Sequence, residues 1–210
     1  MCFSAQASFG ASAVLALIGA LTLNRVLQKK QYEKIILATI PLLFALQQLC
    51  EGFVWVGLAD PTEPTYTGYM IFGFLFFAFF VWPALLPYSL IVLETNVLKK
   101  NLLYLTWGIG ITISTGLAWL SYYYGVTSEI SCSHIAYAIN IPIRHTQWAM
   151  ICYFIATITP FFISSKKRAW IIGLLSVGSI LGTLWIYTAY FTSVWCFFAA
   201  LLSIAIYFFI

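Results

Sequence analysis

Seven apolar runs divide the chain, each close to the length of about 20 residues that a membrane-crossing helix needs. They cover roughly 4–27, 35–58, 68–92, 102–124, 146–163, 169–190 and 194–210. This pattern predicts an all-α integral membrane protein, a seven-transmembrane-helix bundle forming a single transmembrane domain over residues 1–210. Only Phe191, Thr192 and Ser193 separate the last two runs, so the turn there must be tight. The alternative is a six-helix protein with one long broken element. The longest connection, 125–144, ends in an apolar stretch, Ile135–Ile143, able to fold back over the bundle as a lid.

Composition agrees. Hydrophobic residues make up 62% of the chain and charged residues 8%. Soluble domains carry roughly 25% charged residues, because their surface faces water. The first run lacks the basic front end of a cleaved signal peptide and is read as a retained helix. The net charge of +4 would suit an acidic partner, but placement argues against nucleic acid. Arg25, Lys29, Lys30, Lys34, Lys99, Lys100, Lys166, Lys167 and Arg168 fall in three connections that alternate helices place on one side. The other side holds Arg144 with Asp60, Glu63 and Glu129. Lys and Arg concentrate in cytoplasmic loops, so the N-terminus is expected outside and the C-terminus in the cytoplasm. Connection 125–144 is then an outer loop. Aromatic residues, 19% of the chain, cluster near the expected interfaces, as in Tyr122–Tyr124 on the outer side and Trp170 on the inner.

Small residues four apart let helices approach closely. Ser8, Ser12, Ala16 and Ala20 in the first run, and Gly178 and Gly182 in the sixth, are expected to pack inside the bundle. Pro41, Pro83, Pro87 and Pro160 fall in the inner halves of their helices. Each removes a backbone donor and tends to bend its helix, which would open or close the bundle around an outer cavity.

Polar residues gather at the outer level. Glu51 is the carboxylate set well inside a run, where a charge is costly unless paired or protonated. Gln47 lies one helical turn before it, and Gln48 and Trp55 share the neighbouring face. Either these residues form a self-satisfied polar knot, or they face a cavity. His134 and His145, the two histidines of the chain, are both on the outer side. With Glu51 they form a candidate two-histidine, one-carboxylate site for zinc or another divalent transition metal. The plainer reading is two interfacial histidines bonded to loop carbonyls. Cys2 and Cys132 are both expected outside, where a disulfide is permitted. After removal of Met1, Cys2 would instead offer an amine and a thiol as nucleophile or metal ligand. Glu51, Cys2 and Ser4 are therefore the candidate catalytic residues. Gln47, Gln48, Trp55, Trp148, Tyr187 and Trp195 are the candidate binding residues. Cys152 is expected to pack as a small apolar group, and Cys50 and Cys196 to line the cavity.

Three elements carry a resemblance: Met1-Cys-Phe-Ser-Ala5 with Ala7-Ser8-Phe9, Pro41 through Gln47-Gln48 to Glu51-Gly52 with Trp55, and Ser193-Val-Trp-Cys-Phe-Phe-Ala-Ala200. They resemble an uncharacterised family of bacterial multi-pass membrane proteins, a domain of unknown function, over the whole chain. The resemblance implies the bacterial inner membrane and places Cys2, Ser4, Gln47, Gln48, Glu51 and Trp195 in the family's pattern. It implies no activity. The chain also looks like seven-helix membrane hydrolases of the ceramidase and adiponectin-receptor kind, in helix count and in having His, Ser and Glu. Those bind zinc with three histidines, so Cys2 or Glu51 would have to complete the shell here.

Three functions follow from these residues. One is a metal-assisted hydrolase or transferase acting on a lipid or small amphiphile from the outer leaflet, with Glu51 as ligand or base. The second is a small-molecule or proton-coupled binding or transport protein, with Glu51 as the protonatable group. The third is a structural membrane protein whose polar cluster fixes helix packing. No known catalytic signature, nucleotide loop or haem-attachment pair decides whether it is an enzyme.

Overall fold

The computed structural model describes residues 4–60, 62, 64–131, 133–139 and 143–209; for 143–146, 188 and 209 it describes the backbone alone. Its helices are α1 Ala5–Gln28, α2 Ile35–Ala59, α3 Tyr66–Leu75, α4 Trp82–Leu93, α5 Val97–Tyr124, α6 Ile143–Ile163, α7 Ala169–Ile186, α8 Phe191–Ser203 and α9 Ile206–Phe209. A π-helical turn, Phe76–Val81, joins α3 to α4 into one element. Six helical stretches among the described residues are long and apolar enough to cross a membrane, and Gln147–Ile163 is a shorter apolar helix. In hydrocarbon each backbone N–H and C=O must be satisfied within the chain, which is why such runs become helices. Half of the α2 stretch is buried inside the protein, against 22% for α7. Helix α2 is therefore the central element and α7 a peripheral one.

The tightest packing is α1 against α2. Helix α1 buries Ser8, Ser12, Leu15, Gly19, Thr22 and Val26. Steps of four and three alternate along this row, the period at which two helices stay in register along a left-handed seam. Ser12 donates to the Ala45 carbonyl of α2 at 2.8 Å. A methyl at Gly19 would come within 2.9 Å of the Leu42 backbone nitrogen, so the two backbones pass too closely there for any side chain. The expected stripe is thus displaced. Ala16 and Ala20 are exposed, and the seam turns from Ser12 to Leu15 and Gly19 instead. A methyl added at Gly178 or Gly182 would meet nothing within 4 Å, so that pair lies on an open face of α7 and not inside the bundle.

Prolines explain the α3–α4 element. In the π turn the backbone bonds run five residues back, as from the Trp82 N–H to the Phe77 carbonyl. Pro83 has no N–H to continue the series to Ala78. The Ala78 carbonyl accepts from the Tyr153 hydroxyl of α6 at 2.7 Å instead. Ser114 of α5 reaches the Phe80 carbonyl at 3.1 Å. Gly110 of α5 lies against Pro83, where an added Cβ would overlap the proline's carbonyl oxygen.

The 125–144 connection departs from the all-helical expectation. Strands β1 Val126–Ser131 and β2 His134–Ile139 form an antiparallel hairpin in which Val126 faces Ile139 and Ser131 faces His134. Alternation in β2 turns Ile135 and Tyr137 onto the bundle, and Ile135 is fully buried against Val54 and Trp55. The predicted 169–190 helix ends at Ile186, and a 3₁₀ turn at Thr188–Tyr190 precedes α8.

At the opposite end, Glu94 ties two connections together. One carboxylate oxygen accepts the Thr95 and Asn96 N–H groups, each at 3.0 Å, and the other accepts the Ser165 N–H at 2.6 Å. Burial pushes this carboxyl up, but the bonds from Ser165, Asn96 and Thr95 outweigh it and hold it below the usual carboxylate range.

Gly110→Ala should destabilise the purified protein by about 3 kcal/mol, since the clash is with backbone and cannot be relieved by a rotamer. Gly108→Ala, where a methyl meets nothing within 4 Å, should be neutral or stabilise by up to about 1 kcal/mol in the same thermal melt. Glu94→Gln should lower the melting temperature at pH 7. A carboxyl whose pKa is depressed on folding stabilises above its unfolded value and loses that contribution as pH falls through the folded one. The gap between wild type and Glu94→Gln should therefore be full at neutral pH and close below pH 4.5, the ordinary value.

Candidate functional site

Helix α2 carries the polar residues at its core. Gln47 and Gln48 are fully buried and Glu51 is 2% exposed. An apolar surrounding makes each unmet hydrogen bond expensive, so each side chain is drawn to a partner on another helix or on its own. The Gln47 carbonyl accepts the Trp82 indole N–H at 2.8 Å, and its amide donates to the Phe74 carbonyl at 3.4 Å. Trp82 in turn stacks on Phe44 at 3.8 Å. Glu51 accepts from the Ser193 hydroxyl at 2.5 Å on one oxygen and from the Gln48 amide at 3.2 Å on the other. One carboxylate thereby joins α2 to the first turn of α8.

Around this knot, satisfaction is incomplete. Gln48 Oε1, Trp55 Nε1, Tyr137 Oη and Trp195 Nε1 are buried with no hydrogen-bond partner among the described residues. Tyr137 stacks on Phe74 at 4.7 Å. Burial pushes its phenol well above the usual range, and the Glu51 carboxylate and the Cys196 and Cys50 thiols act in the same direction. The ring of His134 sits between Tyr187 at 4.8 Å and Tyr190 at 4.9 Å, and Tyr190 donates to Ser131 at 3.1 Å. The hairpin is thus docked onto the 3₁₀ turn before α8.

A cavity of about 300 Å³ lies between the π turn, α5, β2, α6 and the start of α8. Tyr137, Tyr153, Phe154, Phe191, Trp195 and Cys196 form its aromatic and thiol wall. Tyr137 and Cys196 belong both to this wall and to the surroundings of Glu51. The cavity and the polar knot therefore share one partition.

The sequence-predicted residues separate into groups. Gln47, Gln48 and Glu51 come together as the knot, which Ser193, not among the predicted residues, completes. Trp195 lines the cavity, and Trp55 packs against Ile135 of the hairpin. Tyr187 is drawn to His134. Ser4 caps α1, accepting the Ala7 N–H at 3.3 Å. Trp148 is 63% exposed and is not part of the cavity wall. Cys2, Cys132 and the His145 side chain lie outside the described residues, and with them the expected disulfide and the two-histidine set. Among the described residues no three His, Cys, Asp or Glu side chains group to hold a metal. Sequence reasoning missed Trp82, Tyr137 and Tyr153. Trp82 was signalled only by the proline after it, and Tyr137 only by alternation within an apolar loop.

The chain matches, over residues 1–210, the model of a family described as a family of unknown function, DUF6629, and it belongs to that family. No curated protein and no solved structure matches it.

The Gln47–Trp82 bond can be isolated. Trp82→Phe keeps a ring against Phe44 but strands the Gln47 carbonyl, and should cost about 1–3 kcal/mol in chemical or thermal unfolding. Gln47→Leu with Trp82→Phe should recover much of that loss, because no buried carbonyl is then left without its donor.

Proposed function

We propose that this DUF6629 member is a seven-helix protein of the bacterial inner membrane that binds a small amphiphile in the cavity beside Glu51, with the hairpin on the outer side. Seven apolar helices, counting Gln147–Ile163, support the number of crossings. The basic connections at 25–34, 99–100 and 166–168 support the orientation. The cavity carries the functional reading. At about 300 Å³ it reaches the lower end of the range, about 300–1,000 Å³, of small-molecule sites. Its wall is largely aromatic and apolar, with Tyr137, Thr192 and Cys196 among the lining residues that carry a polar group. That composition suits a ligand with an apolar body and a single polar head.

Binding accounts for the site better than hydrolysis does. Both Glu51 oxygens already accept hydrogen bonds from Ser193 and Gln48. A general base must instead reach a proton of the substrate or its water. The carboxylate here shapes and stiffens the partition behind the cavity.

The test uses a diazirine-bearing fatty acid added to the protein in phosphatidylcholine nanodiscs, with cross-links mapped by peptide mass spectrometry. Labelling at Tyr153, Phe154 and Trp195 should saturate and be competed by oleic acid. Ala149→Phe, which fills the cavity from α6, should reduce it by about tenfold or more, as loss of a fitted site does. Labelling of the exposed Leu17 on α1 should not change. Labels confined to such lipid-facing positions would refute the reading.

A further inference from the structure

A second, smaller cavity of about 50 Å³ lies deeper in the bundle, among α2, α4, α6, α7 and α8. Its wall includes Ile40, Phe161, Ile172 and Ser176, residues from the halves of their helices nearest the basic connections. It shares two residues with the larger cavity, Trp195 and Cys196. One indole and one thiol therefore stand between a chamber under the hairpin and a crevice that continues toward the other face.

The element that carries them is built differently from its neighbours. Helix α8 by itself has 13 residues and reaches the length of a crossing only together with α9, as Phe191–Phe208. A 3₁₀ turn at Thr188–Tyr190 interrupts the backbone before it, and a turn at Ile204–Ala205 separates it from α9. Interrupted helices are the usual place where a membrane protein moves one segment without unfolding the rest. On its cavity side α8 is held by aromatic contacts, Trp195 lying 5.8 Å from Phe191, 5.6 Å from Tyr153 and 6.0 Å from Phe154. On its other side it is held to α2 by the Ser193–Glu51 bond at 2.5 Å and by the Cys196 thiol, which meets Gln47. The Trp195 indole N–H is buried without a partner among the described residues, an arrangement that buried tryptophan normally avoids. The indole thus gives up no hydrogen bond when it leaves its seat.

We infer that α8 is a gate: Trp195 closes the passage between the two cavities, and the Ser193–Glu51 bond latches it shut. This rests on the binding role proposed above and extends it to movement of the small amphiphile between the two faces of the membrane. Opening requires that Trp195 swing away from Phe191 and Tyr153 while α8 pivots on its two interruptions. Glu51 and Ser193 are positioning residues in this scheme, since they act through α8 and not on the ligand.

The experiment places a reporter beyond the gate. Ser176→Cys puts a thiol in the deeper cavity, and a membrane-impermeant methanethiosulfonate is added to sealed vesicles whose hairpin face is outward. Modification at residue 176 is read by peptide mass spectrometry, so the native cysteines do not confuse it. With Trp195 present, labelling should be slow. Trp195→Ala should speed it by about tenfold or more, and Ser193→Ala, which removes only the latch, should speed it severalfold. Adding Ala199→Trp, which fills the deeper cavity alone, should return the Trp195→Ala rate to the starting level. Fast labelling with Trp195 in place, or an unchanged rate in both Trp195→Ala and Ser193→Ala proteins that melt like the parent, overturns the gate. Fatty-acid cross-linking on the same proteins separates the two ideas: saturable labels with unchanged rates refute the gate and leave the binding site standing.

Discussion

Three neighbouring polar side chains on one helix, buried in an apolar interior, set the terms for this fold. Gln47, Gln48 and Glu51 are essentially inaccessible, and a buried polar group without a partner is costly. Helix α2 is central because other elements must come to it. Helix α4 brings the Trp82 indole, α3 brings the Phe74 carbonyl, and α8 brings Ser193. The π turn belongs to the same arrangement. It sets the register of Trp82 after Phe74 and, with Pro83, releases the Ala78 carbonyl that ties Tyr153 of α6 into the bundle.

The two ends of the bundle solve the same problem by different means. At the basic end Glu94 is charged and met by three backbone N–H groups from two connections. It works as a clasp, holding turns that would otherwise be free. At the hairpin end Glu51 is met by side chains, and its neighbours Tyr137 and Trp195 carry polar atoms without partners. A fully satisfied network rigidifies a core, and a partly satisfied one marks the place where a ligand or a second arrangement has something to gain. The cavity lies at that end, and so do the 3₁₀ turn before α8 and the stacked contacts that seat the hairpin.

Much of the candidate site was legible from polarity and depth. Glu51 stood out as a carboxylate inside an apolar run, and helical spacing attached Gln47 and Gln48 to it. Its partner was harder to read. Ser193 lies 142 residues away, and hydroxyls are common at helix starts. Trp82 and Tyr153 were hidden among many aromatic residues whose ordinary explanation is a lipid interface. The hairpin is not legible as strands in the sequence, because two short strands with mixed polarity resemble any other loop until their pairing is known. The small-residue stripes misled for a related reason: spacing says which residues share a face, and only the neighbouring helix says whether that face is covered.

The sequence by itself determined the apolar helices, their approximate ends, the alternation of basic connections and the presence of a buried carboxylate. Each of these depends on local composition, since transfer of a run of residues into hydrocarbon is nearly a sum over that run. The tertiary structure alone decided where the α1 seam turns to meet α2, that α3 and α4 join through a π turn, that Ser193 answers Glu51, and that Trp195 stands between two cavities. These are pairings between distant residues. Their energies depend on whether a donor meets an acceptor or a methyl meets open space, and no count along the chain contains that information.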